Sequence, residues 1–350
     1  MTIPFNLIMT AVVVVALALL AGSRTVLAWC AALAAVLFSA ATLVLLLPRE
    51  HLEWANLTAH AVFVHLLVFF AASAILLRKR SRLLAIGSAA TAVVLVLVVV
   101  DAFLIEPIWL DVSHVRIASP KLKQPVRIVL LADLQADRFG AYERRVLQRA
   151  VEEKPDLILW AGDYMQVRPE QRRQLRGQIN DFLRQLDFRP PQAAFAVRGI
   201  LDHLHWDELF EGLPLAVATI EQTQGFEVAG LHLTCLGRDD SDDKSLLLKA
   251  PPPPGRFHLM LGYSPLYALG PCPADLCLAG HTHGGQVCLP LLGPLTTFCD
   301  VPRRYAAGLL DRPAGGRLLV SRGIGMERAA APQMRLLCRP ELVVVELVPE

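Results

Sequence analysis

The sequence predicts four transmembrane helices followed by one α/β domain, on three observations. Four apolar runs, each near the ~20 residues needed to cross a bilayer, fill the first 105 residues. Beyond them, two strand-like runs flank a stretch with helical spacing. Both strand-like runs end on an aspartate, Asp133 and Asp163, and a later apolar run ends on a pair of histidines, His281 and His283.

The apolar runs cover residues 4–21, 27–47, 57–77 and 83–105. A secretory signal would be a single short apolar segment with a cleavage site; four runs with short polar joins read as a membrane domain, 1–105. The joins set its orientation. Arg78, Lys79, Arg80 and Arg82 crowd the third, Arg49 faces Glu50 and Glu53 in the second, and Arg24 stands alone in the first. Positive joins stay in the cytoplasm. Joins one and three are therefore cytoplasmic, and everything after Ile105 is extracytoplasmic. His60, His65 and Asp101 are polar groups within these runs, where ionisable side chains are functional suspects. A hydrogen bond between adjacent spans is the structural alternative. Residues 106–125, with three prolines, read as a short extended tether.

Residues 126–350 carry the α/β pattern. The run Val126-Arg127-Ile128-Val129-Leu130-Leu131-Ala132 delivers Asp133 to a strand's C-terminal edge, where open α/β sheets place their ligands. Residues 142–154 set Val146, Leu147, Ala150 and Val151 at helical spacing. Residues 155–162 form a second run and deliver Asp163, so the unit is strand–helix–strand with parallel neighbours. Asp275-Leu276-Cys277-Leu278-Ala279 leads into Gly280-His281-Thr282-His283-Gly284-Gly285-Gln286. A strand sends Thr282 one way and both imidazoles the other, and the glycines let the backbone turn tightly beside an ion. An aspartate at one strand end is commonly a cap. Two at equivalent edges with a His-x-His run make a metal-ligating constellation.

Ala132-Asp133-Leu134-Gln135, Ala161-Gly162-Asp163, Arg198-Gly199-Ile200-Leu201-Asp202, Leu261-Gly262-Tyr263-Ser264-Pro265 and Gly280-His281-Thr282-His283 resemble, in order and spacing, the motifs of the calcineurin-like metallophosphoesterases. Leu289-Pro290-Leu291-Leu292-Gly293, Arg304-Tyr305-Ala306-Ala307-Gly308 and Arg339-Pro340-Glu341-Leu342 are similar to stretches of its bacterial membrane-attached branch. The resemblance runs from about Val126 to the C-terminus. It implies an α/β/β/α sandwich and a two-metal site for phosphoester hydrolysis, with a histidine assisting the leaving oxygen.

The chain departs from that pattern at four positions. Gln135, Ile200, Leu201 and Tyr263 stand where the family has His, Asn, His and His, while Asp133, Asp163, Asp202, His281 and His283 are retained. Gln135 still offers an amide oxygen, a weak ligand for hard cations. Tyr263 ligates only as a phenolate, which its usual pKa of ~10 disfavours. The first metal position keeps Asp133, Gln135, Asp163 and His283; the second keeps only Asp163 and His281. The expectation is therefore one divalent ion per chain, with Mn, Fe, Mg and Zn undistinguished. His203 or His205 can replace the imidazole lost at position 201, or both are loop-surface histidines; His203, two positions on, is the candidate catalytic residue.

Of 34 Lys/Arg and 32 Asp/Glu, six and four lie at or before Glu106, so the remainder is charge-balanced and has no electrostatic footprint for nucleic acid. Six of seven cysteines lie beyond the apolar runs, with Cys272 and Cys277 the nearest candidate pair. Two functions follow from these features. One is a membrane-anchored phosphoester hydrolase, acting on a phosphorylated lipid or envelope precursor at the bilayer. The other is an inactive binding or scaffold protein of the same fold.

Overall fold

The computed structural model describes every residue except 24, 49–51, 187–188, 214–216, 249–251 and 330. Arg24, Arg49 and Glu50, on which part of the orientation argument rests, lie outside the described residues. The chain forms two compact units, Met1–Ile105 with Glu327–Gln333, and Glu106–Met326 with Met334–Glu350.

The first unit contains four helices long and apolar enough to cross a membrane: α1 (Thr2–Gly22), α2 (Val26–Leu46), α3 (Glu53–Leu77) and α4, which begins at Arg82. Three of the four spans match the expected runs closely, whereas α3 starts at Glu53 rather than at position 57. Polar Glu53, Trp54 and Asn56 continue the helix beyond its apolar stretch. Wider π-turns interrupt α3 at Ala61–Leu66 and close α4 at Asp101–Ile105, where Phe63 and Phe103 meet edge to face at 5.7 Å. Asn6 on α1 answers both histidines of α3, with Oδ1 2.9 Å from His65 Nε2 and Nδ2 3.3 Å from His60 Nδ1. That is the helix-to-helix hydrogen bond expected as the structural alternative.

In the second unit the strands are β1 (Asp111–Ser119), β2 (Val126–Leu131), β3 (Leu157–Trp160), β4 (Ala193–Val197), β5 (Val217–Ile220), β6 (Gln224–Val228), β7 (Leu231–Cys235), β8 (His258–Leu261), β9 (Leu276–Ala279), β10 (Cys288–Leu289), β11 (Gly293–Pro294), β12 (Gly308–Asp311), β13 (Arg317–Val320) and β14 (Glu341–Pro349). Two six-stranded sheets, in the orders β1-β14-β2-β3-β4-β5 and β12-β13-β9-β8-β7-β6, make the sandwich. The stretch expected to be a tether thus contains a strand, β1, paired in parallel with β14 over its whole length.

Alternation builds the layers. Ile128, Leu130, Leu157 and Leu159 point inward to meet Leu233, Leu259, Leu261 and Leu278 of the other sheet. The intervening Val129, Leu131, Ile158 and Trp160 face outward, under helices α5 (Ala141–Glu152) and α6 (Pro169–Gln185). Helix α5 starts where the Gly140 N–H donates to Glu143 Oε2 at 2.8 Å. It buries Val146 and Leu147 completely, each worth roughly 1.5–3 kcal/mol. Strands β2 and β3 are parallel neighbours, as their periodicity predicts. The outer face of the second sheet is covered by short turns that contribute Tyr267, Ala268 and Tyr305. Cys272 and Cys277 pack there as free thiols with their sulfurs 3.5 Å apart.

Candidate metal centre

Five loops leave the C-terminal ends of β2, β3, β4, β8 and β9 and meet at one edge of the sandwich. The backbone stitches them together. Asp133 N–H donates to Gly162 O (3.2 Å), Gln135 N–H to Asp163 O (2.8 Å) and Gly280 N–H to Tyr263 O (3.0 Å). All five residues expected to hold a metal have left-handed backbones, with φ of 49° at Asp133, 36° at Gln135, 56° at Asp163, 70° at His281 and 48° at His283. Such conformations are costly for residues with a Cβ and gather at ligand clamps and active sites.

Asp133 is fully buried, and both its oxygens accept the His281 N–H, at 2.9 and 2.8 Å. Glycines make room for it: a Cβ on Gly280 would lie 2.6 Å from Asp133 Oδ2, and one on Gly323 2.8 Å. Asp163 is equally buried. Its Oδ1 accepts the Leu201 N–H at 2.8 Å. Its Oδ2 is enclosed, accepts no hydrogen bond among the described residues, and lies 3.8 Å from His281 Nδ1, beyond hydrogen-bond range.

Burial first, then the neighbouring Asp163 charge, push the Asp133 carboxyl well above the usual carboxylate range. At His281, burial pulls the pKa down, but Asp163, Asp133 and Asp242 more than offset it, so the net direction is up. The pocket therefore favours positive charge. Tyr263 is pushed upward by burial and by donating its hydroxyl to Asp242. Both effects favour the neutral phenol over the phenolate.

Asp202, retained from the family pattern, turns out to be a clamp. It accepts amide N–H bonds from Asp163 (2.7 Å), Tyr164 (2.9 Å) and Gly199 (2.8 Å). Burial, then the Asp163 charge, raise it to about 7 against the pull of those amides. Tyr164 stacks on Trp206 at 5.5 Å and donates to Val197 O at 2.8 Å, fixing the same loop from behind.

His203 and His205 are exposed. His205 Nδ1 lies 3.1 Å from Glu208 Oε1. Burial, then the charges of Arg172 and Arg198, lower the pKa of His203. Among the described residues neither histidine hydrogen-bonds to Asp133, Asp163 or His281. Ile200 is half exposed, whereas Tyr263 is buried.

Arg335, which is completely buried, carries no signal in the residue pattern. Its guanidinium donates to the carbonyls of Gly325 (3.1 Å), Cys338 (2.9 Å) and Arg322 (2.8 Å), and its charge draws the Asp133 pKa back down. Asp242 and Phe298 were also missed; the latter meets the His283 ring edge on at 5.6 Å. A cavity of about 990 Å³ is lined by Arg198, Arg238 and Glu221 but by none of the five expected ligands.

A divalent ion fits the donor chemistry here: two buried carboxylates, one with an oxygen that accepts no hydrogen bond, beside an amide and an imidazole. Among the described residues, however, no three His, Cys, Asp or Glu side chains converge as a ligand set.

Comparison with known proteins bears on this geometry. Residues 126–285 match the family model described as calcineurin-like phosphoesterase. The chain is 32% identical over 263 residues to phosphodiesterase YaeI of Escherichia coli (strain K12), covering 69% of this chain and 90% of that protein. It is 28% identical over 262 residues to the uncharacterized metallophosphoesterase YkuE of Bacillus subtilis (strain 168), covering 69% and 87%. An uncharacterized metallophosphoesterase of Aquifex aeolicus (strain VF5) is 27% identical over 262 residues, covering 69% and 94%.

Proposed function

The chain belongs to the calcineurin-like metallophosphoesterase family, and on that footing we propose that it is a membrane-anchored phosphoester hydrolase with a reduced, one-metal site. The observation that carries this is the left-handed backbone at all five candidate ligands around two buried carboxylates. Strain of this kind, at ~1–3 kcal/mol per residue, is retained where function needs it.

Asp133, Gln135, Asp163 and His283 would hold the ion, of Mn, Fe, Mg or Zn. When bound, it supplies Lewis-acid polarisation of a phosphoryl oxygen and lowers the pKa of water. The chain's own groups do the rest. His281, biased toward its charged form, faces the anionic phosphate. His203, exposed on the loop that has leucine at 201, would protonate the leaving oxygen; burial and then the Arg172 and Arg198 charges lower its pKa, and an arriving phosphate anion opposes the second of these effects. The name of the Escherichia coli relative supports a diester substrate. The four apolar helices support a phosphorylated lipid or envelope precursor, with the bilayer as partner.

The test is elemental analysis of the purified chain, with aryl-phosphate and bis-aryl-phosphate assays across divalent ions. Close to one ion per chain is expected, and His283→Ala should weaken binding more than His281→Ala. Two tightly held ions would sink the one-metal proposal. That no three ligands converge among the described residues favours a second reading, a non-catalytic binding protein. No turnover with any ion, in a folded protein, would establish that one.

We also propose that the helices span the bilayer and that the phosphoesterase domain is extracytoplasmic. A reporter active only outside the cytoplasm should be on when fused after Glu350 and off when fused within residues 78–82. The opposite pattern would place the domain in the cytoplasm.

A further inference from the structure

The hairpin β10–β11 grows directly from the candidate site. Its base is fixed: Cys288 N–H donates to Leu336 O at 2.8 Å and Leu295 N–H to Val287 O at 3.1 Å. It also packs hard on the turn after His283, where a Cβ on Gly285 would lie 2.5 Å from Pro294 Cβ. Its tip, residues 290–292, does the reverse of packing. Leu291 is 107% exposed and Leu292 64% exposed. Leu291 has φ 67°, a conformation that a glycine or asparagine adopts more readily, so neither the turn nor the core explains leucine there.

Basic groups flank the hairpin. Arg303 Nη1 donates to Pro294 O at 3.3 Å, and Arg304 lies over the Tyr305 ring at 4.8 Å. Both are exposed, and among the described residues neither pairs with a carboxylate; the acidic neighbour in sequence is exposed Asp300. Two leucines fall well short of the ~1,200 Å² that a specific protein interface buries. A few apolar side chains with adjacent Lys or Arg are instead what interfacial binding to anionic lipid uses.

Building on the membrane-anchored reading, we propose that this hairpin tip inserts into the interface of an anionic bilayer and sets the phosphoesterase site against lipid phosphates. Only residues 106–110 separate the apolar helices from β1, so on that reading a weak insertion suffices.

The test uses the full-length chain in phosphatidylcholine nanodiscs with and without phosphatidylglycerol. Leu291→Cys, Leu247→Cys or Phe38→Cys, each on a background in which exposed Cys30 and half-buried Cys288 and Cys299 are alanine and only the four buried thiols remain, carries a nitroxide whose depth is read from accessibility to oxygen and to a nickel chelate. The label at 291 should sit ~5–10 Å into the headgroup–acyl boundary, and move outward without phosphatidylglycerol or with Arg303→Glu and Arg304→Glu. The label at Leu247, 74% exposed elsewhere on the domain, should be aqueous, and that at Phe38 of α2, 75% exposed, should be deep. A label at 291 as aqueous as that at 247, with 38 deep, overturns the hairpin proposal alone. Protection at 291 from oxygen as well as nickel means that protein covers the tip, and also overturns it. An aqueous label at 38 overturns the membrane reading and this proposal together.

Discussion

Asp202→Ala is expected to lower the apparent melting temperature of the phosphoesterase domain by roughly 6–20 °C. The carboxylate is 4% exposed and holds three backbone N–H groups, those of Asp163, Tyr164 and Gly199. Alanine leaves all three donors buried, at ~1–3 kcal/mol for each that finds no partner. Partial relaxation brings the sum to about 3–5 kcal/mol, and ~1 kcal/mol shifts melting by ~2–4 °C in a domain of this size. Asp202→Asn keeps one acceptor oxygen and should lose about half as much.

The same substitution should weaken metal binding, because the Asp163 loop is fixed by these bonds. His203→Ala, one residue along and exposed, is the control and should stay within ~0.5 kcal/mol of wild type. Thermal melting of the full chain followed by near-ultraviolet circular dichroism, with metal titration alongside, reads both effects. An unchanged melting temperature in Asp202→Ala would mean that other groups fix the Asp163 loop.

Asp202 also shows where the sequence stops being legible. An aspartate three residues after a Gly in a metal-family motif looks like a ligand or a remnant. Two of its three partners are amides 38 and 39 residues away in sequence, and spacing does not encode which distant backbone a carboxylate will meet. Strands β2, β3 and β9 were legible because their runs, Arg127 of β2 aside, are apolar and end on the chemistry. Helix α5 was legible from Val146, Leu147 and Ala150. Strand β1 was not, because Asp111, Ser113, His114 and Arg116 make it half polar. That composition suits a sheet edge as well as a tether, and only pairing with β14 decides it. Arg335 was hidden for a similar reason: its donors are all taken by carbonyls, whose identity leaves no trace in residue type. Tyr263 was half legible. Its poor ligand chemistry followed from the phenol, while the Asp242 oxygen that accepts its hydroxyl comes from a different loop.

Restoring the family's residues by Ile200→Asn, Leu201→His and Tyr263→His is expected to raise aryl-phosphate hydrolysis above wild type by ~10²–10⁴-fold, the usual worth of a positioned general acid. The fold tolerates the first two changes. Ile200 is 48% exposed, and the bond that Leu201 makes to Asp163 Oδ1 comes from its backbone N–H, which histidine keeps. Tyr263→His is the riskier step, since it removes the buried hydroxyl that Asp242 accepts from, at ~1–3 kcal/mol. Ile200→Asn with Leu201→His should therefore be measured both with and without it. In a hydrolase with an incomplete site, the double variant gains rate first and the third change adds second-metal affinity. A rate equal to or below wild type, in folded and metal-loaded variants, would mean that this edge of the sandwich serves binding rather than turnover. A wild-type rate already abolished by His203→Ala would instead show that the leaving-group proton comes from that neighbour. The gain at position 201 should then shrink, because the new imidazole would duplicate an acid already in place.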